Sequence, residues 1–177
     1  VSTIGFVARV MVGDGKVVGF FHAGVTVQDM HASLRFYRDL LGLELISRSE
    51  VAGFEAEAIW NLPGAKAEAA FLRVPGSDAL IELFEFEGVE RHGASARPAD
   101  YGAGHFCLYV DDVAAIHARL VKNGFGARSE TPVEITASRL AGSKVLYAID
   151  PDGYHVELIE RPRRKQGPAK STERTEP

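Results

Sequence analysis

The stretch Phe21-His22-Ala23-Gly24-Val25-Thr26-Val27-Gln28-Asp29 decides the reading, because a second version of it occurs further along the chain. That version is Gly104-His105-Phe106-Cys107-Leu108-Tyr109-Val110-Asp111-Asp112. Both are short, apolar and rich in β-branched or aromatic residues, the composition of a β-strand. Each opens near a histidine and runs to an aspartate placed to cap a helix. A helical pattern follows each time. The first helix is expected over Met30 to Leu41, with Asp29 as N-cap, Gly42 past its end, and Leu34, Phe36, Tyr37, Leu40 and Leu41 on the buried face. The second is expected over Val113 to Asn123, capped by Asp112, with Val113, Ile116 and Leu120 inward and Gly124 past its end. The spans His22 to Gly42 and His105 to Gly124 differ by one residue. Unrelated segments would rarely agree so well, so the chain reads as an internal duplication.

Three strands are expected after each helix: about Glu44–Ser49, Ala67–Val74 and Ala79–Glu85 in the first half, and about Gly126–Glu130, Val145–Asp150 and His155–Glu160 in the second. The closing hairpins turn at Pro75-Gly76-Ser77-Asp78 and Asp150-Pro151-Asp152-Gly153. Each half is thus βαβββ. Half of such a fold cannot bury its own sheet face, so the halves are expected to pack together. The expected fold class is α+β: two tandem βαβββ modules forming curved mixed sheets around a central metal cavity. The expected organisation is an N-terminal extension over 1–16, one domain over 17–161 (module one about 17–88, module two about 101–161), and a polar, disordered tail over 162–177.

The 177 residues are 46% hydrophobic and 25% charged, which suits one folded domain and excludes a wholly disordered chain. A net charge of −4 argues against nucleic acid as the main partner. No apolar run reaches the roughly 20 residues needed to span a bilayer. The single cysteine, Cys107, rules out an internal disulfide and a cysteine-rich zinc site; with no leader-like segment it predicts a cytoplasmic protein.

Each repeat ends on a matching glutamate, Leu80-Ile81-Glu82-Leu83-Phe84 and His155-Val156-Glu157-Leu158-Ile159. Alternation sets Glu82 and Glu157 on the face opposite their apolar neighbours. A lone carboxylate is a poor core group, because burying an unpaired charge costs several kcal/mol, of the order of 3–5. Taken singly, each glutamate could pair with a cation on an exposed face, and each histidine could be a core group. Two His and two Glu in equivalent places, His22, Glu82, His105 and Glu157, instead suit one divalent ion: Zn²⁺, Ni²⁺, Co²⁺, Mn²⁺ or Fe²⁺. His155, two residues before Glu157, shares its face. Trp60, in the connection Ile59 to Ala65, reads as a packing anchor or a pocket wall. His31, His92 and His117 read as solvated.

On these motifs, and on Ser33-Leu34-Arg35-Phe36-Tyr37 leading to Leu41-Gly42-Leu43, the chain resembles the vicinal oxygen chelate superfamily over about residues 18 to 161. That superfamily includes glyoxalase I, methylmalonyl-CoA epimerase, extradiol dioxygenases, and the fosfomycin and bleomycin resistance proteins. The resemblance implies paired modules around a metal held by His22, Glu82, His105 and Glu157. A glutamate at position 82 resembles glyoxalase I most; epimerases of the family usually carry glutamine there. The pocket departs from glyoxalase I. Thr26 stands where an arginine is expected to hold glutathione, and Phe86 where an asparagine is expected; Arg139 is the one basic residue left for that task.

The function expected from this resemblance is a metal-dependent lyase or isomerase that moves a proton through a metal-stabilised enediolate on a small carbonyl substrate, without glutathione. Glu157 is the expected proton carrier, Glu68 a candidate second base, and His155 a further pocket residue. The alternative is an Fe(II) extradiol-type ring-cleaving dioxygenase using His22, His105 and Glu157, with Tyr147, Tyr154 and His155 nearby. A second alternative is a resistance-type protein that sequesters a small molecule. The resemblance also implies a homodimer; whether modules pair within or between chains stays open.

Overall fold

The structure, a computed structural model, describes residues 14–93 and 96–162. Most of the expected N-terminal extension and all but the first residue of the expected tail lie outside them. The chain forms two four-stranded mixed sheets. In the first, β1 (His22–Thr26), β2 (Glu44–Val51), β3 (Lys66–Arg73) and β4 (Leu80–Glu87) lie in the order β1-β4-β3-β2. In the second, β5 (His105–Val110), β6 (Val133–Glu134), β7 (Lys144–Ile149) and β8 (His155–Glu160) lie in the order β5-β8-β7-β6. β1 runs parallel to β4 and β5 parallel to β8, while the other neighbours are antiparallel. The duplication is therefore a duplication of topology.

Helix α1 (Met30–Leu34) runs on as a π-helical segment over Arg35–Leu40, and α3 (Val113–Lys122) is its counterpart. Both start as their caps dictate: Asp29 Oδ1 accepts from Ala32 N–H at 2.9 Å, and Asp112 Oδ1 from Ala115 N–H at 2.8 Å. A second carboxylate reaches each start from the sheet below. Glu85 Oε2 accepts from Met30 N–H at 2.6 Å, and Glu160 Oε2 from Val113 N–H at 3.0 Å. These glutamates stand three residues beyond Glu82 and Glu157, hence on the opposite sheet face.

Two segments differ from expectation. The strand expected over Gly126–Glu130 is reduced to one bridge, Ala127 to Ala148, and pairing resumes only at Val133–Glu134. The run is broken by a turn in which the Ser129 hydroxyl donates to Thr131 C=O at 2.8 Å, followed by Pro132, which has no N–H to give a ladder. The connection holding Trp60 contains a helix, α2 (Phe54–Trp60), closed by Asn61 in the left-handed conformation at φ 53°.

The two modules share one core. Val25, Ile81, Leu83, Ala70 and Leu72 of the first sheet join Leu108, Leu146, Ala148, Val156 and Leu158 of the second through the helices between them. Phe36 meets Phe125 edge-on at 5.2 Å, and the Tyr37 ring lies 6.2 Å from Phe106. The fully buried Tyr37 donates its hydroxyl to Asp150 Oδ2 at 2.7 Å, tying α1 to the turn before β8. Burial pushes the Asp150 carboxyl up, against the pull of its hydrogen bonds from Tyr37, Tyr154 N–H and Asp152 N–H. Burial, with Asp150 beside it, also raises the Tyr37 phenol well above its ordinary range.

Candidate metal centre

Glu82 lies opposite Gly24 in the β1–β4 register and opposite Phe71 in the β3–β4 register. Its neighbours Ile81 and Leu83 face the core, so Glu82 faces away from it, beside His22. Their side chains meet at 2.9 Å, His22 Nε2 to Glu82 Oε2. Glu82 is only 7% exposed, and burial raises its carboxyl while His22 opposes the rise. It has no lysine or arginine partner among the described residues. The buried Nδ1 of His22 has no hydrogen-bond partner either. No added Cβ at Gly24 would meet an atom within 4 Å, so the surface in front of the pair is open.

The second module repeats this with different surroundings. Glu157 lies opposite Cys107 and Tyr147, and His105 opposite His155. His105 Nε2 is 3.3 Å from Glu157 Oε2 and 3.2 Å from the Tyr147 hydroxyl. His155 shares this face, as the alternation required, but is 3% exposed, and its Nε2 accepts from Arg128 Nε at 2.6 Å. Burial lowers its pKa, helped by the Arg128 charge, which favours the neutral ring. Burial, with Glu157 nearby, pushes the Cys107 thiol up to about 12, which leaves it an inert thiol beside the pair.

Each pair therefore offers an imidazole nitrogen and a carboxylate oxygen about as far apart as two ligands of one ion with bonds of roughly 2.0–2.2 Å. The residues fit a borderline divalent cation by donor type. The two pairs are not gathered around one point among the described residues of one chain. Among the described residues, no three His, Cys, Asp or Glu side chains gather closely enough to hold an ion. The reason lies in the packing: the modules join through the sheet faces that carry Leu83 and Leu158, so both ligand pairs lie on faces turned out of the shared core.

The other sequence candidates separate clearly. Glu68 lies opposite Glu85, on the face away from Glu82, and pairs with Arg48. It therefore does not join either pair. Tyr154 stacks towards Phe106 against the core, away from Glu157. Tyr147 does join its pair, and Arg139 is exposed in the loop before β7. Arg128 was missed by the sequence reading, since nothing local shows that it would reach His155 from a broken strand. His31 and His92 are exposed and His117 is half-buried.

Paired βαβββ modules with a His–Glu pair at matching positions define the vicinal oxygen chelate class. The profile of the Glyoxalase/Bleomycin resistance protein/Dioxygenase superfamily matches residues 19–158, and the chain belongs to that superfamily. A lactoylglutathione lyase of Haemophilus influenzae is 32% identical over 152 residues, covering 82% of this chain and 95% of that protein. A 2-epi-5-epi-valiolone epimerase of Actinomyces is 28% identical over 149 residues, covering 82% of this chain and 80% of that protein. The chain spans 35% of the length of a probable chloroplastic lactoylglutathione lyase of Arabidopsis thaliana. A crystal structure of a Bacillus cereus glyoxalase family protein superposes with a TM-score of 0.73 at 20% identity, covering 85% of this chain and 98% of that one. Proteins named as lyases and an epimerase are thus among its relatives. No helix among the described residues is long and apolar enough to cross a membrane.

Proposed function

We propose that the protein is a divalent-metal-dependent lyase or isomerase that moves a proton on a carbon next to a carbonyl of a small substrate, and that it works as a homodimer. The observation that supports this is the repetition of one His–Glu pair at the same register in two modules, with both pairs turned out of the common core. His22 and Glu82 of one copy would complete their ligand set with His105 and Glu157 of a second copy, giving two equivalent sites per dimer. A divalent cation held by these residues would supply Lewis-acid chemistry, making the C–H beside a substrate carbonyl easier to ionise.

The protein's side chains do the rest. Glu157 is half-buried and less enclosed than Glu82, so it is the base that lifts the proton and returns it. Glu82 is more enclosed and serves as an anchor. Arg128 holds His155, and His155 in turn backs His105 across the β5–β8 register. Glutathione has little to hold it here: Thr26 and Phe86 offer no positive charge, and Arg139 is on an exposed loop.

The test is Glu157→Gln in metal-loaded protein, followed by exchange of substrate-carbon hydrogen with deuterated solvent across a panel of hydroxy- and ketocarbonyl compounds, the glutathione–methylglyoxal adduct included. Exchange by the parent protein that drops at least about 100-fold in the variant is expected from loss of a general base. Equal exchange by both would refute the assignment. The Tyr147 hydroxyl beside His105 favours a second reading, an Fe(II) ring-cleaving dioxygenase. Oxygen uptake with catechols by iron-loaded protein separates the two.

A further inference from the structure

The face of the first sheet that carries Glu82 continues along β4 as Phe84 and then Phe86, alternate residues of one strand. Opposite them on β3 stand Phe71, Ala69 and Ala67, in that order outward from Glu82. Ala69 and Ala67 are buried and small, so the aromatic rings rise above a low floor. Trp60, at the end of α2, closes the far side: its ring lies 4.7 Å from Phe86 and 5.8 Å from Phe84, edge to face in both cases. Phe84 and Phe86 are 5.7 Å apart, and at the near end Phe71 lies 5.5 Å from the His22 ring. The four rings of the wall are all half-buried, leaving part of each accessible.

Beyond Glu82 this strip carries no charge. Of the charged residues of the same strands, Lys66, Glu68, Glu85 and Glu87 alternate onto the other face, while Arg73 shares the face of Phe71 but lies past it, at the end away from Trp60, beside Glu44. Thr26, opposite Phe84 on β1, is uncharged. The charges closest along the chain to Trp60 are the acidic Glu55 and Glu57 in the first turn of α2. An anionic arm laid from Phe84 towards Trp60 would find no counter-charge on these strands and would leave its carboxylates unpaired, whereas a flat apolar arm would meet ring faces and edges.

We propose that the Phe71–Phe84–Phe86–Trp60 wall binds the flat, apolar arm of the substrate, so that the site takes aryl-bearing compounds with two neighbouring oxygens rather than thiol adducts of an anionic peptide. This rests on the reading of His22–Glu82 as half of a metal site. The wall is a specificity determinant of that site and takes no part in the proton transfer.

Trp60 is the chain's single tryptophan and so reports directly on the wall. The Zn²⁺-loaded protein is titrated with benzohydroxamate and with acetohydroxamate, which present the same two oxygens with and without a ring, while Trp60 emission and calorimetric affinity are followed. Benzohydroxamate is expected to bind about tenfold tighter, a difference of about 1.4 kcal/mol, and to shift Trp60 emission. Phe86→Ala is expected to bring the two affinities within about twofold while leaving acetohydroxamate unchanged. Phe86→Leu, which keeps apolar bulk without the flat ring, is expected to lose most of the preference and covers the case in which the alanine variant does not fold. Equal affinities in the parent protein, or displacement of the Trp60 signal by S-methylglutathione, would overturn the proposal. A Trp60 response to benzohydroxamate that persists after the metal is stripped supports the wall and contradicts the metal reading, so the two fail separately.

Discussion

Glu82 is an awkward residue for a folded protein: a carboxylate almost wholly enclosed, raised by burial, with an imidazole as its one partner among the described residues. Such a group destabilises the fold by itself and, if the proposed metal centre holds a cation, would gain from it. Glu82→Gln is therefore expected to weaken Zn²⁺ binding at least about tenfold, the range of losses seen for groups that support metal sites, while leaving the melting temperature of the metal-free protein unchanged or higher. A lowered melting temperature with unaltered metal affinity would mean that Glu82 is a structural partner of His22. Asp150 is a second strained carboxylate, with the opposite outcome. Its folded pKa lies above the unfolded one, so its contribution is complete at low pH and is lost as pH rises from about 4, the unfolded value, through the raised folded value. Asp150→Asn keeps the acceptor for Tyr154 and Asp152 N–H and can donate to Tyr37, so it should remove that loss. Melting curves of parent and variant are expected to diverge in the variant's favour as pH rises over that window. Tyr37→Phe, which leaves Asp150 Oδ2 unpaired, should cost about 1–3 kcal/mol by chemical denaturation.

Among the elements, those with a local signature were legible and those without one were not. Asp29 and Asp112, an apolar stripe and a following glycine announce α1 and α3, and both helices start where those signals put them. The glutamates that cap them from below were invisible, because a strand residue's reach to a helix start depends on packing. Glu85→Ala and Glu160→Ala are each expected to cost about 0.5–2 kcal/mol, equal within error if the duplication is energetic as well as topological. α2 did carry signals: Glu55 and Glu57 in a first turn, alanines between, and Asn61 with Pro63 and Gly64 as a stop. At seven residues it lies below the length at which periodicity decides, and Trp60 on Phe84 and Phe86 is what anchors it. β6 shows the converse. Its pattern begins at Gly126, but a Ser–Thr turn and Pro132 interrupt pairing that composition alone would allow. One junction tolerates no side chain: Gly88 has φ +79°, and a Cβ there would sit 2.3 Å from Gly64 C=O. Gly88→Ala should therefore destabilise the chain by more than about 1 kcal/mol.

Across the whole molecule, the duplication made the four ligand candidates legible, since period-2 alternation fixes which face a residue takes within its own sheet. It did not reveal how the two faces are disposed to one another. That depends on Phe36, Tyr37, Phe106, Phe125 and Asp150 joining the modules through their core sides, contacts made between residues far apart in sequence. The consequence is that one chain carries two His–Glu pairs that face outward. The proposal that two copies complete each other's site follows from this. It is tested by mixing a variant lacking the first pair (His22→Ala with Glu82→Ala) with one lacking the second (His105→Ala with Glu157→Ala), after exchange of subunits. In a mixed dimer, one site inherits both intact pairs and the other inherits none. Neither variant alone should retain Zn²⁺ through gel filtration, while the mixture should retain one ion per mixed dimer. A mixture that retains no more metal than its separate components would contradict the account.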